Sequence, residues 1–182
     1  MSFKLRILSV IACLSIVTPS SFVFASEPSY SEAAKQLQQR LGKVLMSTIQ
    51  SEGHIAAIAV CNEQAPAIAQ AVSDDLNVQV GRTALKVRNP GNTASEAQQD
   101  VLRAFQQQWQ KSKDKVPSQT YTDDSGKTVW MKAIVMQPQC AACHGSNVKP
   151  ELKQAINARY PDDHATGFEV GDIRGAFVVR EN

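Results

Sequence analysis

The order of predicted elements places this chain in the α+β class, with an antiparallel sheet. Three observations carry that reading. Helical periodicity fills the stretch from Ser31 to about Asp75 before any strand pattern appears. Asp123-Asp124-Ser125-Gly126 separates two strand-like runs, as a hairpin turn does. Thr128 to Met136 is apolar on both faces, as a central strand is, and a further strand pattern closes the chain.

The elements run in this order. Ser31 to Ser51 reads as an amphipathic helix, with Ala34, Leu37, Leu41, Val44, Leu45 and Ile49 on one face and Gly53 at its end. A short second helix is expected over Ile55 to Cys61. Pro66 then suits the first turn of a third, which runs to about Asp75. Val78 to Val87 alternates like a strand, and Arg88-Asn89-Pro90-Gly91-Asn92 is a turn cluster. Ala94 to Lys111 returns to helix through Ala97, Val101, Phe105 and Trp109. Pro150 to Arg159 reads as helix and Asp172 to Val179 as the last strand. No internal repeat or low-complexity tract interrupts this order.

Residues 1–25 have the layout of a secretory signal peptide. Lys4 and Arg6 precede the apolar run Ile7–Val17, and Val23-Phe24-Ala25 offers a cleavage site before Ser26. Val10-Ile11-Ala12-Cys13 resembles a lipobox, but the apolar run continues past Cys13, so Cys13 reads as part of the leader and not as a lipid anchor. The run is short for a membrane span, and no second apolar stretch of spanning length is expected once the leader is removed. The expectation is export to a bacterial periplasm or an equivalent lumen. Residues 26–182 would then form one domain of 157 residues, enough for a proper core. The formal +2 charge belongs to the leader, since 17 basic residues meet 17 acidic ones beyond it. No basic stripe points to nucleic acid.

Cys140-Ala141-Ala142-Cys143-His144 carries the chemistry. Two thiols at this spacing, with histidine directly after the second, fit covalent attachment of one c-type haem with His144 as the proximal iron ligand. A thioredoxin-like redox pair would require a surrounding βαβ pattern. A zinc site would require further ligands at short spacing, and the next histidine, His164, lies twenty residues on. On that reading Cys61 is left as an unpaired thiol in an oxidising compartment. The second iron ligand stays open at this point among Cys61, Met131, Met136, His54 and His164. Met131 and Met136 read as core filler, His54 and His164 as exposed, and Cys61 as either a ligand or an inert buried thiol.

Several blocks resemble a family of exported, PAS-like c-type haem proteins, formerly catalogued as a domain of unknown function. They are Ala59-Val60-Cys61 with Ala65-Pro66-Ala67-Ile68-Ala69; Gly81 to Asn92; Cys140 to Gly145; Tyr160 to Phe168; and Gly171 to Ala176. Together they span nearly the whole chain beyond the leader. The pattern departs at Ala84, where serine is usual, and after Asn92. The resemblance implies a PAS-like antiparallel sheet flanked by helices, with one haem between sheet and helices. It also implies His/Cys axial ligation, which here is His144 opposite Cys61.

A metal-bound thiol is deprotonated, and an anionic donor favours ferric iron, so a low reduction potential is expected. Release of the thiolate on reduction would open the iron to a small ligand. Arg82, Lys86, Arg88 and Arg174 lie in the family blocks and are the candidates for haem-propionate partners. Two function classes are compatible with these residues. One is a soluble monohaem electron carrier or redox protein, favoured because the last strand pattern ends close to Asn182. The other is a sensory module for redox state or a diatomic ligand, acting through a separate signalling protein. A fixed Cys61 ligand argues against an enzyme. A homodimer is compatible with the sequence.

Overall fold

The computed structural model describes residues 30–182, so the expected leader and Cys13 lie outside the described residues. Helix α1 spans Tyr30–Ala59 and is broken at Gly53, whose φ of 86° is the left-handed conformation that glycine adopts without steric cost. The two helices expected on either side of Gly53 are both present and meet at this kink, where the Gly53 backbone (ψ 178°) is not helical. A π-helical segment, Val60–Gln64, leads into α2, Ala65–Leu76. Helix α3, Glu96–Lys111, starts one turn-defining residue after Ala94. Ser95 accepts from the Gln98 N–H while the Gln98 side chain accepts from the Ser95 N–H, a reciprocal cap. The single turn α4, Ala141–His144, and α5, Pro150–Arg159, complete the helices.

Strands β1 (Val78–Thr83), β2 (Ser118–Thr122), β3 (Thr128–Val135) and β4 (Ile173–Glu181) form one antiparallel sheet in the order β1-β4-β3-β2. The hairpin and the central position of β3 are as the sequence predicts. Strand β1 is shorter than expected and ends at Thr83, not Val87. At Ala84 the chain leaves β4, and the Ala84 N–H donates to the Asn92 carbonyl instead.

The alternation of side chains along each strand builds two cores. Val129, Met131, Ala133 and Ala176 pack under Val101, Leu102 and Phe105 of α3. Val78, Val80, Phe177 and Val179 pack under Ala33, Ala34 and Leu37 of α1 and Val72 of α2. The sheet is thus flanked by helices on both faces.

Gly175 sits where β4 passes closest to the end of β1. A Cβ there would collide with the Thr83 carbonyl oxygen and lie 3.1 Å from the Ala84 Cβ. Gly175→Ala is expected to cost about 1–3 kcal/mol in chemical denaturation, the range for overpacking a rigid site.

The helical stretch Tyr30–Leu76 contains an 18-residue window of mean hydropathy 1.3, which meets the length and composition of a membrane span. The sequence expectation that nothing beyond the leader reaches that length is corrected here. Gly53 breaks the stretch, and Leu41, Leu45, Met46, Ile49, Ala57 and Ile58 within it line an internal cavity.

Candidate functional site

That cavity, about 230 Å³, lies at the end of the sheet where β1 and β3 finish and β4 begins, under the kinked part of α1. Its walls bring together residues far apart in sequence: Cys61, Arg82, Arg88, Cys140, Cys143, His144 and Arg174.

Cys61 reaches the cavity from the π-helical segment, and the local sequence explains why the helix widens there. In a regular α-helix the residue at 66 would donate to the Asn62 carbonyl, but Pro66 has no N–H and its ring crowds that oxygen. The Ala65 N–H bonds instead to the Val60 carbonyl, one residue further back. Two contacts tie this segment to the C-terminal end of α5 and the residue after it. Arg159 Nη1 donates to Glu63 Oε1 at 2.6 Å, and the Asn62 side chain lies near the Tyr160 hydroxyl.

The Cys140–His144 segment enters from the opposite strand end. The Met136 N–H donates to the Asp172 carbonyl, and a 3-10 turn over Pro138–Cys140 runs directly into α4. Residues three apart on a helical turn share a face, so Cys140 and Cys143 are presented together with His144 beside them. Gly145 then allows a close return, since a Cβ there would lie 2.6 Å from the Ala141 carbonyl oxygen.

His144 is held through one ring nitrogen. Nδ1 lies 2.7 Å from the Ala165 carbonyl oxygen and 3.4 Å from Arg174 Nε. A carbonyl can only accept, so Nδ1 carries the proton and donates to Ala165. The longer approach of Arg174 is a charge neighbour and not a bond. Nε2 therefore keeps its lone pair, the arrangement metal-ligating histidines use. Burial, with the nearby Arg174 and Arg88 charges, holds the imidazole pKa down to about 3, so the ring is neutral throughout the physiological range.

Burial raises the pKa of Cys61, opposed by the charges of Arg82, Arg88 and Arg174, and it raises that of Cys143. The three arginines differ in what they already hold. Arg88 is buried and donates from Nη2 to the Cys143 carbonyl at 2.6 Å and to Asp163 Oδ2 at 3.0 Å, while its Nε has no partner. Arg174 Nη1 donates to the Lys86 carbonyl at 3.0 Å. The Arg82 side chain makes no hydrogen bond or ion pair among the described residues, and the titratable groups near it are Cys61, Tyr160 and Arg174.

Lys86 is not brought to the cavity. It is exposed, donates to the Thr166 carbonyl at 2.8 Å, and sits 4.8 Å from the centroid of the Phe168 ring. Met136 lines the cavity, whereas Met131 is buried in the α3 core and His54 and His164 are exposed. Residues the sequence did not single out also belong here: Tyr160 in the wall, Asn62 near it, and Asp163 behind Arg88. Among the described residues no three His, Cys, Asp or Glu are grouped so as to hold a bare metal ion.

The fold and this cavity define an α+β pocket protein with a Cys-x-x-Cys-His segment in the pocket wall. The chain belongs to the Tll0287-like family, whose model matches residues 24–181. Among solved structures it is similar to the cyanobacterial heme-protein Tll0287. That similarity extends over 82% of this chain and 89% of the other, at 28% identity and a TM-score of 0.61. Comparison with curated proteins gave no match.

Proposed function

We propose that this chain is an exported monohaem protein of the c type, PAS-like in fold, that works as a low-potential redox or electron-transfer protein of the periplasm and not as an enzyme. On this reading Cys140 and Cys143 hold the haem covalently, and His144 and Cys61 are the axial iron ligands. The observation that carries it is that Cys61, nearly eighty residues before the motif, lines the same cavity as Cys140, Cys143 and His144. The resemblance to the heme-protein Tll0287 supports the cofactor class.

The residues present fit the group. The wall is largely aliphatic, and Leu45, Met46 and Ile49 within it stay only half-buried, as side chains awaiting a flat apolar partner would be. His144 keeps a free lone pair, buried Arg88 Nε has no partner, and the Arg82 side chain, also in the wall, makes no bond among the described residues. Haem bound here would supply a one-electron iron couple. The chain supplies the rest: a neutral imidazole, a thiol whose burial is opposed by guanidinium charge, and a largely aliphatic wall. An anionic Cys61 favours the ferric state and lowers the potential relative to a His/Met pair.

Ferric and dithionite-reduced absorption spectra of the protein matured in a periplasm, wild type beside Cys61→Ala, test this. The expected result is a covalent low-spin ferric haem that becomes high-spin in the variant. Unchanged spectra would remove Cys61 from the iron.

Arg82 provides a second check. Loss of its charge in Arg82→Gln should lower the midpoint potential by about 60 mV, a tenfold change for one electron. The potentiometric shift should shrink in a Cys61→Ala background if Arg82 acts on the thiolate and persist if it acts on a propionate.

The sensory reading is the alternative, and the mounting of Cys61 favours it. Cys61 rides on a π-helical turn whose ends, Val60 and Ala65, are fixed in the core and whose outward tie is an exposed Arg159–Glu63 ion pair, so release of the thiolate would let this short irregular turn shift between fixed ends. A haem module of this kind would sense redox state or a diatomic ligand and pass the change to a separate signalling protein.

A further inference from the structure

Two of the sequence blocks remain unexplained by the ligands: Gly81 to Asn92, which holds Arg88, and Tyr160 to Phe168, which holds Asp163. The structure joins them. Arg88 and Asp163 form an ion pair at 3.0 Å whose side chains are 9% and 4% exposed, an environment in which a charge left without its partner is strongly unfavourable. The second carboxylate oxygen is also used: Asp163 Oδ1 accepts from the Ala165 N–H at 2.8 Å. Ala165 is fully buried, and its carbonyl is the acceptor for His144 Nδ1 at 2.7 Å. Arg88 closes the loop by donating to the Cys143 carbonyl, one residue before His144.

We propose that Asp163, clamped by Arg88, is a positioning residue for the proximal histidine. It fixes the Ala165 carbonyl, and that carbonyl sets the tautomer and the ring orientation of His144. Asp163 touches neither the iron site nor the imidazole and acts only through Ala165. The rest of the loop supports this role. Phe168 N–H donates to the His144 carbonyl at 3.1 Å, Gly167 N–H to the Gly145 carbonyl at 3.0 Å and His164 N–H to the Val87 carbonyl at 2.9 Å. Backbone bonds therefore hold both ends of the 164–168 loop, but the stretch that presents the Ala165 carbonyl is anchored by the Asp163 carboxylate.

A histidine that donates Nδ1–H to a good acceptor is a stronger ligand, because the bond pushes electron density towards Nε2. Loss of the Asp163 anchor should loosen that donation. The inference rests on His144 being the proximal ligand, as proposed above.

The test is made in holoprotein with Cys61→Ala as the parent, whose ferrous form should be five-coordinate and show an iron–histidine stretching band by resonance Raman. Asp163→Ala alone would strand the Arg88 charge, so both charges are removed together. Arg88→Met/Asp163→Ala lacks an acceptor for the Ala165 N–H, whereas Arg88→Met/Asp163→Asn restores one. The expected result is a downward shift of the band in the alanine pair and its return towards the parental frequency in the asparagine pair. Parental bands in both pairs, or equal shifts in both, would overturn the positioning role. Failure of the ligation reading is seen separately, as a parent with no covalent haem or no iron–histidine band, and it would take this inference with it.

Discussion

Replacing both Cys140 and Cys143 with alanine is expected to abolish covalent haem. The check is haem staining of the chain after denaturing electrophoresis. The wild type and each single variant should keep pigment, the single variants through their remaining thioether, and the double variant should show none. The same double variant should unfold at markedly lower denaturant. Leu45, Met46 and Ile49, half-buried in the cavity wall, would then lose their apolar partner. Fully burying one such side chain is worth about 1.5–3 kcal/mol, so withdrawing a partner from several half-covered ones should cost several kcal/mol in total. Pigment that survives denaturation without either thiol would exclude thioether attachment at this motif.

Much of this arrangement is legible in the sequence because it is local. The face Ala34–Leu37–Leu41 of α1, the capped start of α3, the Asp123–Gly126 turn and the Cys140–His144 segment can each be read from spacing within a few residues. What the sequence hides is set by tertiary contacts. Val78–Val87 alternates throughout, yet β1 stops at Thr83 because β4 supplies a glycine there and Asn92 captures the Ala84 N–H.

The four basic residues grouped as propionate partners illustrate the limit most clearly. They look alike in sequence but hold four different things: Arg82 nothing, Lys86 a loop carbonyl, Arg88 a buried carboxylate, and Arg174 the carbonyl of Lys86. Asp163 stays inconspicuous in the sequence for the same reason, since its partner Arg88 lies 75 residues away.

That hidden pair should also show the largest response to a single substitution. Arg88→Met is expected to destabilise the holoprotein by about 3–5 kcal/mol in chemical denaturation, because it leaves the Asp163 carboxylate buried without its counter-charge and the Cys143 carbonyl without a donor. The exposed pairs of the same protein set the contrast. Lys35–Glu32 and Arg103–Asp100 have side chains 42% or more exposed, so their loss should change stability by no more than about 1 kcal/mol. Neutralising both partners in Arg88→Met/Asp163→Asn should recover most of the loss, since the penalty lies in the stranded charge and not in the absence of the pair. Recovery would show that the pair is kept for where it holds the 163–165 backbone, and therefore His144, and not for net stability. A single variant as stable as the wild type would mean that water reaches Asp163, and the Arg88 clamp would then have to be abandoned.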